Sequence, residues 1–152
     1  MLDHADIAAR LPHAGRMCLL DRVINWDERT ITCSVVSHVD AENPLRESMG
    51  LATFAGIELA AQAAAVHGEL LRGEDLSGIR VPRKGVLAAL KNVIAVRQWL
   101  HDIVGELLVE TTLLHSDAAG GIFSFALFDG RECVLSGQFT LMYIDISPIS
   151  PV

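Results

Sequence analysis

The segment Phe54-Ala-Gly-Ile-Glu-Leu-Ala-Ala-Gln-Ala-Ala-Ala-Val-His-Gly-Glu-Leu-Leu71 is rich in alanine and contains no proline. Its composition and length are typical of an α-helix rather than a strand, and at ~1.5 Å per residue it would span about 27 Å. Apolar residues occupy nearly every face of that helix. The pattern therefore predicts a helix that is buried on all sides.

Two polar residues within this helix, Glu58 and Gln62, are four positions apart and so share one face. A carboxylate in a buried helix is costly unless it is satisfied, and burial tends to raise its pKa, which suits a general acid or base near neutral pH. We therefore predict that Glu58 is catalytic, the alternative being a carboxylate held by structural hydrogen bonds. Gln62 is predicted either to contact substrate or to hydrogen-bond Glu58 or nearby backbone.

Composition sets broad limits on the function. With 152 residues, of which 51% are hydrophobic and 20% charged, the chain is predicted to form one globular domain over residues 1–152. A formal charge of −7 argues against non-specific nucleic-acid binding. We expect no secretory signal, because the first residues are acidic, and no apolar run reaches the ~20 residues that cross a bilayer. Cys18, Cys33 and Cys133 form no CxxC pair, so we expect reduced thiols, no metal site and a cytoplasmic location.

The pattern outside the central helix predicts a short helix over Asp3–Arg10 with Asp3 as its cap, followed by strands. The strands are expected at residues 17–26, 30–38, 85–98 (with a bend or bulge), 105–115, 121–128 and 132–144. Four successive strands with hairpin-length connections favour an antiparallel sheet. A sheet that curls around the helix would explain the apolar surface of that helix, and its edge would favour pairing with a second copy.

Two segments resemble the hotdog-fold 3-hydroxyacyl-(acyl carrier protein) dehydratases. Leu11-Pro-His13 followed by Met17-Cys-Leu-Leu-Asp-Arg-Val23 is similar to the N-terminal signature of that family. Glu58-Leu-Ala-Ala-Gln62 is similar to its helix motif, in which the Glu is catalytic. The resemblance implies an α+β hotdog fold, in which one antiparallel sheet wraps around the long helix, and a homodimer or a hotdog heterodimer.

The chain departs from this family at one motif. Most members carry His-Phe-Pro-Gly shortly before the helix, and its His is the second catalytic residue, whereas this chain has Ser37-His-Val-Asp-Ala-Glu-Asn-Pro-Leu-Arg46. That version resembles a divergent branch associated with aryl-polyene biosynthesis. His38 is the candidate replacement, the alternative being a surface histidine. Asn43 and Arg46 are predicted to contact substrate or merely to fix the loop.

The resemblance implies dehydration of a 3-hydroxyacyl thioester to the trans-2-enoyl thioester, in fatty-acid or polyene-type biosynthesis. The substrate would be carried on phosphopantetheine, in acyl carrier protein or coenzyme A, and no other cofactor is expected. Backbone N–H groups at the helix N-terminus, around Ala55 and Gly56, are predicted to hold the thioester oxygen.

A basic cluster in this acidic chain, Arg80, Arg83 and Lys84, is predicted to dock an acidic carrier protein, unless it is only a solvated loop. Two other functions are open at this point. The chain could be a non-catalytic hotdog subunit that pairs with an active dehydratase, which the missing His-Phe-Pro-Gly motif favours. It could also be an acyl thioesterase, because a helix carboxylate can activate water.

Overall fold

The computed structural model describes residues 1–11, 18–73 and 84–144. A short helix α1 (His4–Ala8) is followed by two strands, β1 (Arg22–Trp26) and β2 (Thr30–Val35). After two 3₁₀ turns (Ser37–Val39 and Thr53–Ala55) comes the long helix α2 (Gly56–Arg72). Four more strands follow: β3 (Lys84–Ala95), β4 (Leu107–Asp117), β5 (Gly120–Asp129) and β6 (Glu132–Ile144).

The strands form one six-stranded sheet in the order β1-β2-β4-β5-β6-β3, and every neighbouring pair is antiparallel. The sheet curls around α2, which packs against strands across its width. No residue from Gly56 to Leu70 is exposed. The predicted antiparallel sheet around one buried helix is therefore confirmed, and with it the α+β hotdog fold.

The predicted hairpin-length connection between β3 and β4 is wrong. Residues 96–106 separate the two strands, and β3 pairs with β6 at the far edge of the sheet instead of with β4. The predicted bulge in β3 is present, because its register with β6 shifts twice and Asn92 adopts a φ of 54°. Such a bulge increases the local twist of an edge strand.

β1 starts later and β2 ends earlier than predicted, and hydrogen bonds account for both differences. β1 begins at Arg22, because the backbone of Leu19 bonds to the side chains of Gln62 and Ser37 instead of to a neighbouring strand. β2 ends at Val35, because the next residues form the tight bonds of a 3₁₀ turn, which contains His38.

Candidate functional site

Glu58 lies in the first turn of α2 and is half-buried. A negative charge at this position interacts favourably with the partial positive charge of the helix N-terminus. Partial burial keeps the carboxylate close to the solvent-accessible surface while limiting its hydration. These two features are compatible with proton transfer, and the catalytic role of Glu58 stays a prediction.

Gly56, the first residue of α2, faces the sheet. A Cβ atom built on it would lie 2.5 Å from Cδ2 of Leu127 and 2.8 Å from Cδ2 of Leu135. Gly56 therefore allows the helix to pack closely against β5 and β6. Ala55, the N-cap residue, provides no side-chain cap, but the N–H groups of Ala55 and Gly56 donate to the carbonyls of Ala52 and Thr53 in the preceding 3₁₀ turn. Their predicted contact with the thioester oxygen therefore stays a prediction.

The side chain of Gln62 makes a hydrogen bond within the fold. Its Oε1 accepts a hydrogen bond from the backbone N–H of Leu19 at 3.0 Å, and the side chain is 9% exposed. The carbonyl of the same Leu19 accepts from Oγ of Ser37 at 2.8 Å. The backbone of Leu19 thereby links two segments: the second turn of α2, which contains Gln62, and the 3₁₀ turn that contains His38. The bond favours the interpretation of Gln62 as a residue that fixes nearby backbone.

His38 is fully buried, so the alternative interpretation as a surface histidine is wrong. Its Nε2 lies 3.0 Å from the carbonyl oxygen of Ile103, and because a carbonyl can only accept, this nitrogen carries the proton. Nδ1 has no hydrogen-bond partner among the described residues. Burial lowers the pKa of His38, and the Ile103 bond offsets part of this shift. The ring is therefore neutral at pH 7, and its predicted part in proton transfer stays a prediction.

The connection from β3 to β4 is hydrogen-bonded both to the turn that contains His38 and to the segment that leads into α2. Besides the Ile103 bond to His38, it binds the segment that leads into α2: the N–H of Thr53 donates to the carbonyl of Gln98 at 2.9 Å. The N–H of Leu51 donates to Nδ1 of His101 at 3.0 Å. His101 was not among the predicted site residues, and no local signal marks it, because its partner lies 50 residues away along the chain.

Asn43 and Arg46 lie in the loop between His38 and α2. Asn43 is buried; its Nδ2 donates to the carbonyl of Ser37 at 3.0 Å, and its Oδ1 accepts from the N–H of Leu45 at 2.9 Å. These bonds favour the interpretation that Asn43 fixes the loop. Arg46 is half-buried and has no ion pair within the described ranges, and its predicted contact with substrate stays a prediction.

The predicted docking cluster falls mostly outside the described residues. Arg80 and Arg83 lie in the undescribed range 74–83, and of Lys84 only the backbone, at the start of β3, is described. Within the described ranges, no group of three or more His, Cys, Asp or Glu side chains could hold a metal ion. No helix in that part of the chain has both the length and the hydropathy to cross a membrane.

Comparison with known proteins points to one family. The family model described as ApeP dehydratase matches residues 5–147. A chain of the dehydratase heterocomplex ApeI:P from Xenorhabdus doucetiae superposes with a TM-score of 0.80 at 23% identity, over 92% of this chain and 91% of that one. This likeness shows the shared fold.

Thioesterases share the fold at lower similarity. A Haemophilus influenzae thioesterase has a TM-score of 0.63 at 12% identity, covering 98% of this chain and 95% of its own. A Staphylococcus aureus thioesterase variant has a TM-score of 0.57 at 12% identity, covering 80% and 91%. No curated protein matches the sequence. The family match confirms the resemblance to the hotdog dehydratases of the aryl-polyene branch.

Proposed function

Because the chain belongs to the ApeP dehydratase family, we propose that it takes part in dehydrating a 3-hydroxyacyl thioester to the trans-2-enoyl thioester. The observation that carries this proposal is the position of Glu58. Glu58 is half-buried and lies in the first turn of the buried helix. A proton-transfer group is therefore available at one end of the helix.

The reaction needs three groups. A base removes a proton from C2, the C3–O bond breaks as an acid protonates the departing hydroxyl, and water leaves while donors hold the enolate oxygen of the thioester. We assign a proton transfer to Glu58 and the oxyanion contact to the backbone N–H groups of Ala55 and Gly56. These groups would have to leave the carbonyls of Ala52 and Thr53, to which they donate. His38 is the proposed second group, and its ring would have to leave its bond with Ile103 to reach the substrate.

We also propose a hotdog partner chain, either a second copy or a related subunit. The edge strand β3 has no neighbour on its outer side within the described residues, and apolar side chains along it and just beyond it are exposed: Val86, Leu90, Ile94 and Val96. An open apolar edge favours pairing with another strand. The ApeI:P complex, which is a dehydratase heterocomplex, supports the related-subunit form. Light scattering of the isolated chain should give a dimer at micromolar concentration, and a monomer would leave the related subunit as the partner.

Two alternatives remain distinct from this proposal. A subunit without catalytic activity is favoured by the missing His-Phe-Pro-Gly motif together with the burial of His38. Thioester hydrolysis is favoured by the thioesterases that share the fold. Incubation with a 3-hydroxyacyl carrier protein, followed by mass spectrometry, separates the three functions. The mass falls by one water for a dehydratase, by the whole acyl group for a thioesterase, and stays unchanged for an inactive subunit.

The decisive variant is Glu58→Gln, which keeps the size of the side chain but cannot exchange a proton. Turnover should fall by about 10²–10⁴-fold while the protein stays folded. Glu110→Gln, the same change at an exposed position in β4, is the control and should keep the wild-type rate. A folded Glu58→Gln protein with full activity would end the catalytic assignment.

The proposed carrier is phosphopantetheine on an acyl carrier protein or coenzyme A, with no cofactor belonging to this chain. We propose that Arg80, Arg83 and Lys84 bind the acidic carrier protein. Reversing Arg83 and Lys84 to Glu should weaken this binding, and the effect should shrink at high salt, because salt screens exposed charges. Unchanged affinity at low salt would show that the cluster is only a solvated loop.

A further inference from the structure

The segment that leads into α2 is held by a short antiparallel ladder. The N–H of Thr53 donates to the carbonyl of Gln98 at 2.9 Å, and the N–H of Leu100 donates to the carbonyl of Leu51 at 2.8 Å. Thr53 begins the 3₁₀ turn that continues into α2, and Glu58 follows in the first turn of that helix. The ladder therefore fixes the backbone just before the helix turn that carries Glu58.

His101 extends this ladder with its side chain. The N–H of Leu51 donates to Nδ1 of His101 at 3.0 Å. Because an accepting Nδ1 carries no proton, the ring proton is on Nε2, which lies 3.2 Å from Oδ1 of Asp102. The ring also contacts Trp99, with 5.4 Å between the two ring centroids. These contacts fix the orientation in which Nδ1 meets Leu51.

Gly50 provides the space that this imidazole occupies. It adopts a φ of 124°, which favours glycine, and a Cβ atom at this position would overlap the ring of His101. Leu51, the next residue, is buried. Since a buried N–H that loses its acceptor is costly, the bond to His101 stabilises this backbone conformation.

A chain of hydrogen bonds continues from this ladder to the turn that contains His38. Leu100, whose N–H donates to Leu51, accepts from the N–H of Ile103 at 3.0 Å. The carbonyl of Ile103 in turn accepts from Nε2 of His38 at 3.0 Å. His101 lies in the turn between Leu100 and Ile103, so its side chain contacts the backbone leading into α2 from the same turn that binds His38.

We propose that His101 is a positioning residue for the dehydration. It holds the backbone that leads into α2, and with it Glu58, in place relative to the turn that contains His38. The inference rests on the proposed function, because it takes Glu58 as a proton-transfer group. Reacting groups that are displaced by about 1 Å can lose 10²-fold in rate, so a residue that only fixes the backbone can still control turnover.

Three variants of His101 test this role with a 3-hydroxyacyl carrier protein as substrate. His101→Leu removes the acceptor and should lower kcat about 10- to 100-fold, with KM changed less than about threefold, because the lost bond orients groups that act in the transition state. His101→Asn places Oδ1 as many bonds from Cα as Nδ1 and should keep kcat within about threefold of wild type. In His101→Gln the amide oxygen is one bond further out, so this variant should resemble His101→Leu.

His115→Leu is the matched control. His115 is an exposed histidine on β4 that also lies beside a carboxylate, with 3.7 Å from its Nε2 to Oδ2 of Asp117. This variant should keep the wild-type kcat. A folded His101→Leu protein with the kcat of wild type, or a His101→Asn protein as slow as His101→Leu, would overturn the inference.

Amide hydrogen exchange separates positioning from general destabilisation, and it needs only folded protein. In His101→Gln, exchange at residues 51–53 should rise about five- to tenfold more than in β4, the effect of one lost hydrogen bond. An equal rise in both places would overturn the inference even if His101→Leu does not fold. A wild-type protein that does not dehydrate the substrate would refute the proposed reaction, and the exchange data would still decide whether His101 fixes this segment.

Discussion

Two glycines on α2 should respond in opposite directions to the same substitution. At Gly56, a new Cβ would meet Leu127 at 2.5 Å and Leu135 at 2.8 Å, and both leucines are fully buried in the core. Overpacking of this kind costs about 1–3 kcal/mol. The gain from replacing glycine in a helix is at most about 1 kcal/mol, and it is smaller in a first turn. Gly56→Ala should therefore lower the free energy of unfolding by about 1–2 kcal/mol.

Gly68 lies in the interior of the same helix. A Cβ there meets only the Tyr143 hydroxyl, at 3.2 Å, so a shift of a few tenths of an ångström accommodates it. The helix gains the full difference in propensity, about 1 kcal/mol, less a small cost for that shift. Gly68→Ala should raise the free energy of unfolding by about 0.5 kcal/mol.

Urea denaturation followed by circular dichroism measures both changes, at one fixed protein concentration because any dimer makes stability depend on concentration. The difference between the variants should be about 2 kcal/mol, which for a chain of this size corresponds to a difference of roughly 4–8 °C in melting temperature. If Gly56→Ala were as stable as Gly68→Ala, the close packing of the helix N-terminus on β5 and β6 would be wrong.

Three further predictions concern buried polar groups. Gln62→Leu should destabilise the protein by about 1–3 kcal/mol, because the N–H of Leu19 loses its acceptor, and an unchanged urea midpoint would contradict this. Thr111→Val should raise stability by about 1 kcal/mol, since it removes a buried hydroxyl with no hydrogen-bond partner in the described part of the chain; a lower melting temperature would refute it. Burial lowers the pKa of His38, so the unfolded chain takes up its proton first and stability is lost as pH falls below about 6.5. Urea titrations at pH 7.5 and 5.5 should show a larger loss for wild type than for His38→Gln, and equal losses would argue against it.

Local composition was enough to predict the main elements. The alanine-rich segment without proline predicted α2 to within two residues at each end, and Glu132–Ile144 was predicted as observed for β6. The turn between β5 and β6 falls at Asp129-Gly130, a pair typical of hairpins, and Gly130 adopts a φ of 59° that favours glycine. The apolar surface of α2 also predicted the surrounding sheet, because a helix without a polar face must be covered.

The candidate site was predictable only in part. Glu58 and Gln62 could be placed on one helix face from their spacing, because helical geometry is local. The partner of Gln62 could not, because Leu19 lies 43 residues earlier in the chain. His38 was equally ambiguous: its burial depends on the carbonyl of Ile103, which is 65 residues away.

Tertiary structure alone decided the position of β3 in the sheet and the contacts of the segment that connects β3 to β4. Sequence proximity favoured pairing of β3 with β4, yet β3 pairs with β6 at the far edge, because β2 and β5 already occupy both sides of β4. The long connection that results holds the His38 turn and the start of α2 together. The sequence by itself determined which residues form a buried helix and strands, since period and propensity are local. The assembly of those residues into a site depended on hydrogen bonds between distant segments, which only the folded chain defines.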